Sequence, residues 1–175
     1  HLRPRRQRQM CIRDRPNAGK SSLLAAITNA NPKIANYQFT TLNPNLGVAN
    51  YDNKEITIAD IPGLVEGAHK GTGLGIQFLK HIERCKSLLH MIDITNKDLK
   101  KSYKQIKNEL KNYSSKISKK KELVVLNKTD LIGNNDIKKI IKDFSKFTKS
   151  EVITLTTLEK KSISKIKAKL IYYAS

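Results

Sequence analysis

Four short segments of this chain combine residue types and spacing that can hold and act on a nucleotide. Residues 16–22, PNAGKSS, supply most of the phosphate-binding pattern G-x-x-x-x-G-K-[ST]. In such a loop successive backbone N–H groups and a helix N-terminus converge on anionic oxygens. Ala18, Gly19, Lys20, Ser21 and Ser22 would supply those donors, with the Lys20 ammonium on the β- and γ-phosphates and the Ser21 hydroxyl on Mg²⁺. In FTTLNPNLG (39–47) a hydroxyl, from Thr40 or Thr41, can complete Mg²⁺ coordination while its N–H meets the γ-phosphate. In DIPG (60–63) Asp60 can hold the metal through water, and Gly63 lets its backbone N–H approach the γ-phosphate. In NKTD (127–130) the Asp130 carboxylate can accept hydrogen bonds from the guanine N1–H and exocyclic amine, a pair adenine lacks. Asn127 would brace the loops and the Lys128 stem would lie over the base. Each string is common alone. Four in this order, each at a strand end, specify a guanine-nucleotide site.

One position breaks the first pattern. Its leading glycine should be residue 14, which is Asp14. A side chain is sterically awkward there, and a carboxylate repels phosphate in a partly desolvated site. The penalty is a few kcal/mol, roughly a hundredfold in affinity. Asp14 lies in HLRPRRQRQMCIRDR (1–15), a segment with six Arg in a chain otherwise rich in Lys. The strand that must carry a phosphate loop falls near residues 7–13, where QRQMCIR offers only Met, Cys and Ile as apolar residues. The expectation is that 1–15 is non-native or disordered, foreign to the fold, and that the first strand is compromised.

The elements that position the other segments follow a regular order. SSLLAAITNA (21–30) is a helix start with apolar spacing. LGVANY (46–51), a turn at Asp52-Asn53 and KEITIAD (54–60) form a hairpin. A glycine-rich loop (63–75) and the amphipathic GIQFLKHIERC lead to a buried strand at 87–94. Helices near 98–113, 135–147 and 160–173 then alternate with strands at 122–127 and 151–155. This predicts an α/β fold, a mostly parallel sheet with one antiparallel hairpin strand and helices on both faces. His81 and His90 suit packing in a helix and a buried strand. His69 falls in the loop after DIPG, within possible reach of the phosphates.

At 175 residues the chain suits one domain, and without tryptophan its core must rest on Ile, Leu, Val and Ala. Cys11 and Cys85 follow no disulfide or zinc spacing, which favours a reduced, cytoplasmic setting. No apolar run is long enough to span a membrane. Lys+Arg number 34 against 15 acids, net +19. Lysine scattered over polar helix faces suits either a solvated surface or an RNA-contacting one; the charge permits a nucleic-acid partner without requiring it.

PKIANYQFTTLNPNLGV (32–48) together with ADIPGLVEGAHKGTGLGIQFLKHIERCKSLLHMID (59–93) resembles the G domain of the Obg family of ribosome-assembly GTPases. The resemblance is strong over 16–132 and weaker over 133–175, so 16–175 is expected to be an Obg-type G domain without the family's glycine-rich N-terminal domain. It implies a Ras-like P-loop fold, GTP and GDP as ligands, GTP hydrolysis with Mg²⁺, action on the large ribosomal subunit or its RNA, a stress-response role and sensitivity to guanosine tetraphosphate. A monomer is expected. By the family's pattern Lys20, Thr41 and Gly63 are the catalytic group, Ser21, Thr41 and Asp60 hold the metal, and Phe39 to Asn43 frame the nucleotide. Asn17 resembles the residue with which related GTPases hold K⁺. Thr156, Thr157 and Leu158 align with the last guanine loop, a departure from the usual S-A-x. The position after DIPG is Leu64, which cannot orient water, so slow intrinsic hydrolysis is expected. A contrasting reading, favoured by Asp14 and the net charge, is a nucleotide-dead basic module that binds RNA or ribosome. An ATPase ranks behind both, because NKTD has no use for adenine.

Overall fold

Short strands with alternating or continuous apolar residues assemble one sheet. A computed structural model of the chain describes residues 9–13, 19–28, 33–34, 45–60 and 83–174. The strands are β1 (Gln9–Arg13), β2 (Lys33–Ile34), β3 (Asn45–Tyr51), β4 (Lys54–Asp60), β5 (Ser87–Asp93), β6 (Lys121–Asn127) and β7 (Glu151–Thr154). The helices are α1 (Lys20–Ile27), α2 (Leu99–Tyr113), α3 (Ser115–Ser118), α4 (Asn134–Thr148) and α5 (Lys160–Ala174). The seven strands lie in the order β2-β3-β4-β1-β5-β6-β7. Pairing is parallel from β4 through β1, β5 and β6 to β7, and antiparallel between β3 and β4 and between β2 and β3. The two-residue β2 adds an antiparallel edge that the sequence pattern did not announce.

Period-2 alternation sends side chains to two cores. Met10, Leu89, Met91, Leu123 and Val125 pack on one face against Leu23, Leu24 and Ile27 of α1 and Ile166 and Leu170 of α5. On the other face Cys11 and Leu88 meet Ile106, Leu110 and Ile117, while Ile92, Val124 and Leu126 meet Tyr103 and Phe144. Helices therefore cover both faces, as the alternating pattern requires.

Two expectations about the N-terminal segment are corrected. Residues 9–13 are not outside the fold: they form the central strand, with Met10 opposite Ile58 of β4 and Ser87 of β5. A strand flanked on both edges gains a full ladder of backbone hydrogen bonds, and Met10 at 0% and Cys11 at 1% exposure help to seat it. The second correction concerns the cysteines. Cys11 and Cys85 are joined as a disulfide with Cα atoms 6.2 Å apart, despite a separation of 74 residues. The β1–β5 pairing sets Cys11 opposite Leu88, which brings the residue three before Leu88 into reach.

The β3–β4 hairpin turns at Asp52 (φ 50°) and Asn53 (φ 56°), two consecutive left-handed residues of the kind a two-residue hairpin loop needs. β3 crosses α1 so closely that a Cβ on Gly47 would come within 2.6 Å of Thr28 Cγ2 and 3.0 Å of Leu24 Cδ2. The entry to β5 is fixed by Lys120, whose ammonium donates to the carbonyls of Glu83 (2.8 Å) and Cys85 (2.5 Å). Burial pulls the Lys120 pKa down despite the nearby Glu83 carboxylate.

Candidate nucleotide site

The C-terminal ends of β1, β4, β5 and β6 share one edge of the sheet, the edge where ligands of open α/β folds bind. α1 begins there. Gly19 caps it with φ 91°, a left-handed value that an L side chain rarely adopts. The first intrahelical bond runs from Leu23 N–H to Gly19 carbonyl at 2.9 Å, so the amides of Lys20, Ser21 and Ser22 project from the helix end. No acidic residue stands in this first turn, and Ser21 and Ser22 are exposed. A helix N-terminus of this kind favours anions. Asp60 closes β4, with its backbone opposite Ile12 of β1.

The second half of the site follows β6. Asn127, 3% exposed, lies so near Gly19 that a Cβ at Gly19 would collide with the Asn127 side-chain amide. The backbone then turns sharply: Lys128 has φ 63° and Thr129–Leu131 form a 3₁₀ turn. Three ties hold this turn. Thr129 N–H and Thr129 Oγ1 donate to the Leu155 carbonyl at 3.4 and 3.2 Å. Thr156 Oγ1 donates to Asp130 Oδ1 at 2.9 Å, leaving Asp130 exposed at the edge. The Lys128 ammonium lies 2.5 Å from Asp93 Oδ2. The loop of Thr156 is in turn fixed by Thr156 N–H donating to Ser162 Oγ (3.0 Å) and Leu158 N–H donating to Thr156 Oγ1 (3.3 Å). Leu158 itself is 79% exposed.

Sequence reading did not single out Asp93, which closes β5 opposite Asn127 in the parallel register. The signal was present in SLLHMID, an apolar run ending in an acid, the same form as ITIAD before DIPG. Burial raises the Asp93 pKa, but hydrogen bonds from Lys128 and Thr95 outweigh it and hold the carboxyl below its ordinary 3.8. The structure brings together Gly19, Lys20, Ser21, Ser22, Asp60, Asn127, Lys128, Asp130 and Thr156 with Thr157 and Leu158 along this edge. Asn17, Ala18, Phe39, Thr40, Thr41, Gly63 and Leu64 lie outside the described residues, as do Asp14, His69 and His81. His90 is buried at 2% and its ring stacks on Tyr103 at 5.1 Å, on the face away from α1.

The donor set suits the ligands expected of it. Amides at a helix N-terminus suit phosphate oxygens, and a hydroxyl with a carboxylate are the hard oxygen donors that Mg²⁺ takes. Asp130 offers the acceptor a guanine edge needs.

Comparison with known proteins identifies the family and the fold. Residues 9–128 match the family profile described as 50S ribosome-binding GTPase. The GTPase Obg of Pelagibacter ubique (strain HTCC1062) is 71% identical over 160 residues, 91% of this chain and 49% of that protein. The GTPase Obg of Rickettsia felis (strain ATCC VR-1525 / URRWXCal2) is 48% identical over 151 residues, 86% of this chain and 46% of that protein. The chain thus spans about half the length of the curated relatives it matches. The G domain of the T. maritima FeoB iron transporter superposes with a TM-score of 0.68 at 19% identity, covering 95% of this chain and 98% of that one. That likeness establishes the Ras-like P-loop fold.

Proposed function

The chain belongs to the 50S ribosome-binding GTPase family, and from that premise we propose that it is the nucleotide switch of an Obg-type protein acting in large-subunit assembly. Binding and hydrolysis of GTP are the activities of such a domain. The observation that carries the reading is the joining of two loops more than a hundred residues apart, Gly19 against Asn127, with Asp130 oriented by Thr156 beside them.

The residues divide the work. The amides of Lys20, Ser21 and Ser22 bind phosphate oxygens at the start of α1, and the Lys20 ammonium neutralises charge that develops on them. Asp130 accepts from the guanine edge, and Asn127 keeps the two loops at a fixed separation. Ser21 and Asp60, with Thr41, would hold Mg²⁺, which when bound screens the phosphate charge. Asn17 would hold K⁺. Gly63 would present its amide to the γ-phosphate, and Leu64 leaves the attacking water without a hydrogen-bonding side chain, so turnover is slow unless a partner supplies one. The proposed partner is the large ribosomal subunit or its RNA, in the cytoplasm, with guanosine tetraphosphate as a competing ligand under stress and the protein acting as a monomer. Residues 16–175 are the proposed G domain. Among the described residues no helix is long and apolar enough to cross a membrane.

Titration of the chain with a fluorescent GDP tests the core of this reading. Binding at micromolar concentration that disappears in Asp130→Ala supports it, and GTP-dependent co-sedimentation with large subunits tests the partner. Asp14 and the net +19 charge favour a second reading, a basic module that binds RNA without nucleotide. Co-sedimentation indifferent to nucleotide, with no GDP binding even in Asp14→Gly, would select it.

A further inference from the structure

We propose that Asp93 is a positioning residue for base recognition, holding the Lys128 ammonium so that the Lys128 stem and the Asp130 carboxylate face the guanine together. This rests on the guanine-site reading above and adds to it a residue on a different strand.

The two carboxylate oxygens of Asp93 have separate tasks. Oδ1 accepts from Thr95 N–H at 2.9 Å and from Thr95 Oγ1 at 2.6 Å. Those bonds fix the rotation of the carboxylate, which leaves Oδ2 aimed at Lys128 Nζ, 2.5 Å away. The register makes this meeting possible. Asp93 stands opposite Asn127, and Ile94 N–H donates to the Asn127 carbonyl at 3.0 Å, so the residue after Asn127 begins directly beside the Asp93 side chain. Lys128 departs in a left-handed conformation with φ 63°, a turn that aims its long side chain back over the sheet edge.

A solvent-exposed ion pair usually contributes little. This one is partly sheltered, with side-chain exposures of 35% for Lys128 and 22% for Asp93. Its effect is in pre-organisation: a lysine side chain has many rotamers, and one anchored before the base arrives loses less freedom when the base stacks on it. On the opposite side the same turn is tied to Leu155 and Thr156. Asp93 thus supplies the β5 side of a clamp whose β7 side is Thr156.

The test is a double-mutant cycle in the full chain, with Asp93→Asn, Lys128→Met and the pair, read by association and release of fluorescent GDP. Asp93→Asn should release GDP about tenfold faster with association changed less than about threefold, and the double variant should be no worse than Lys128→Met alone. The unfolding midpoints of the ligand-free proteins should stay close, which a merely structural role would not allow. Wild-type release rates in Asp93→Asn, or effects of the two substitutions that simply add, would overturn the proposal while leaving the guanine site intact. If neither the chain nor Asp14→Gly binds GDP, the guanine reading fails and this proposal with it. Should Asp93→Asn not fold, Thr95→Val keeps the ion pair but frees the carboxylate to rotate. It should release GDP about threefold faster, and unchanged release would overturn the proposal.

Discussion

The side-chain amide of Asn127 occupies the space in which a Cβ on Gly19 would stand, so the turn that starts α1 and the turn that ends β6 share one packing contact. Gly19 also carries φ 91°. Gly19→Ala therefore meets two obstacles, a disfavoured backbone and a collision with a side chain that is itself buried. Relief requires either α1 or the 127–131 turn to move. We expect Gly19→Ala to weaken GDP binding by at least about tenfold, at a strain of about 1–3 kcal/mol. Fluorescent-GDP titration checks it, and wild-type affinity would show that the contact does not set the site.

The Asp130 carboxylate is both exposed and oriented, which makes two substitutions informative. In Asp130→Asn one acceptor becomes an N–H donor, which suits the 2-carbonyl of xanthine and opposes the 2-amine of guanine. GDP affinity should fall roughly a hundredfold and xanthosine diphosphate should gain, since a mispaired buried polar edge loses about 3 kcal/mol. Thr156→Val removes the 2.9 Å bond to Asp130 and the acceptor for Leu158 N–H. It should speed GDP release several-fold, about 1 kcal/mol, while Thr156→Ser, which keeps the hydroxyl, should not. Stopped-flow release distinguishes the two.

What the sequence disclosed depended on whether a feature was local. The turn at Asp52-Asn53, the strands at 87–93 and 121–127 and the three long helices after residue 98 lie where periodicity and turn residues put them, because each is written in its own ten or fifteen residues. NKTD was legible as a turn closing its strand for the same reason. β1 was not. A central strand is stabilised by neighbours 48 and 77 residues away in the chain, and QMCIR by itself lacks the apolar density of an isolated strand. The Cys11–Cys85 pair followed from that same β1–β5 pairing and was invisible without it. Asp93 escaped notice because its partner Lys128 lies in the turn after the next strand, and a strand-terminal acid has no meaning until the register is known. Thr156, by contrast, was found through family resemblance, and only the structure shows what its hydroxyl holds.

Glu122 is 7% exposed, and two donors satisfy its buried oxygens: Tyr103 OH and Lys107 Nζ, each at 2.7 Å. Burial, and then the Glu122 carboxylate, push the Tyr103 pKa well above its ordinary value, so the phenol stays a donor at all usable pH. Lys107→Met leaves the carboxylate with one donor and should destabilise by about 2 kcal/mol. Lys107→Met with Glu122→Gln, which removes the uncompensated charge, should recover part of that loss. Denaturant midpoints of the four proteins measure it. A double variant as unstable as Lys107→Met alone would mean that packing, not charge, is at stake.

Acid should weaken the fold through a pair far from the nucleotide. Glu151 Oε1 lies 2.5 Å from Lys169 Nζ, and Tyr173 OH donates to Oε2 at 3.0 Å. The Lys169 hydrogen bond, opposed by burial and helped by Tyr173, holds the Glu151 carboxyl below its ordinary 4.5. Burial and then the bond to Glu151 raise Tyr173 to about 12, so the phenol remains protonated throughout the acid range. Because the folded pKa of Glu151 is depressed, the unfolded chain binds its proton first. The contribution is therefore complete above about pH 5 and is lost as pH falls through the folded value. Lys169 and Glu151 side chains are 37% and 34% exposed, so screening limits the contribution to about 0.5–1 kcal/mol at neutral pH. Glu151→Gln should accordingly be less stable than the wild type at pH 7, and the gap should close as pH falls below about pH 5. Urea midpoints across that range measure the gap. A difference that stays constant with pH would assign the effect of Glu151 to hydrogen bonding of a neutral kind and remove the ion pair from the account.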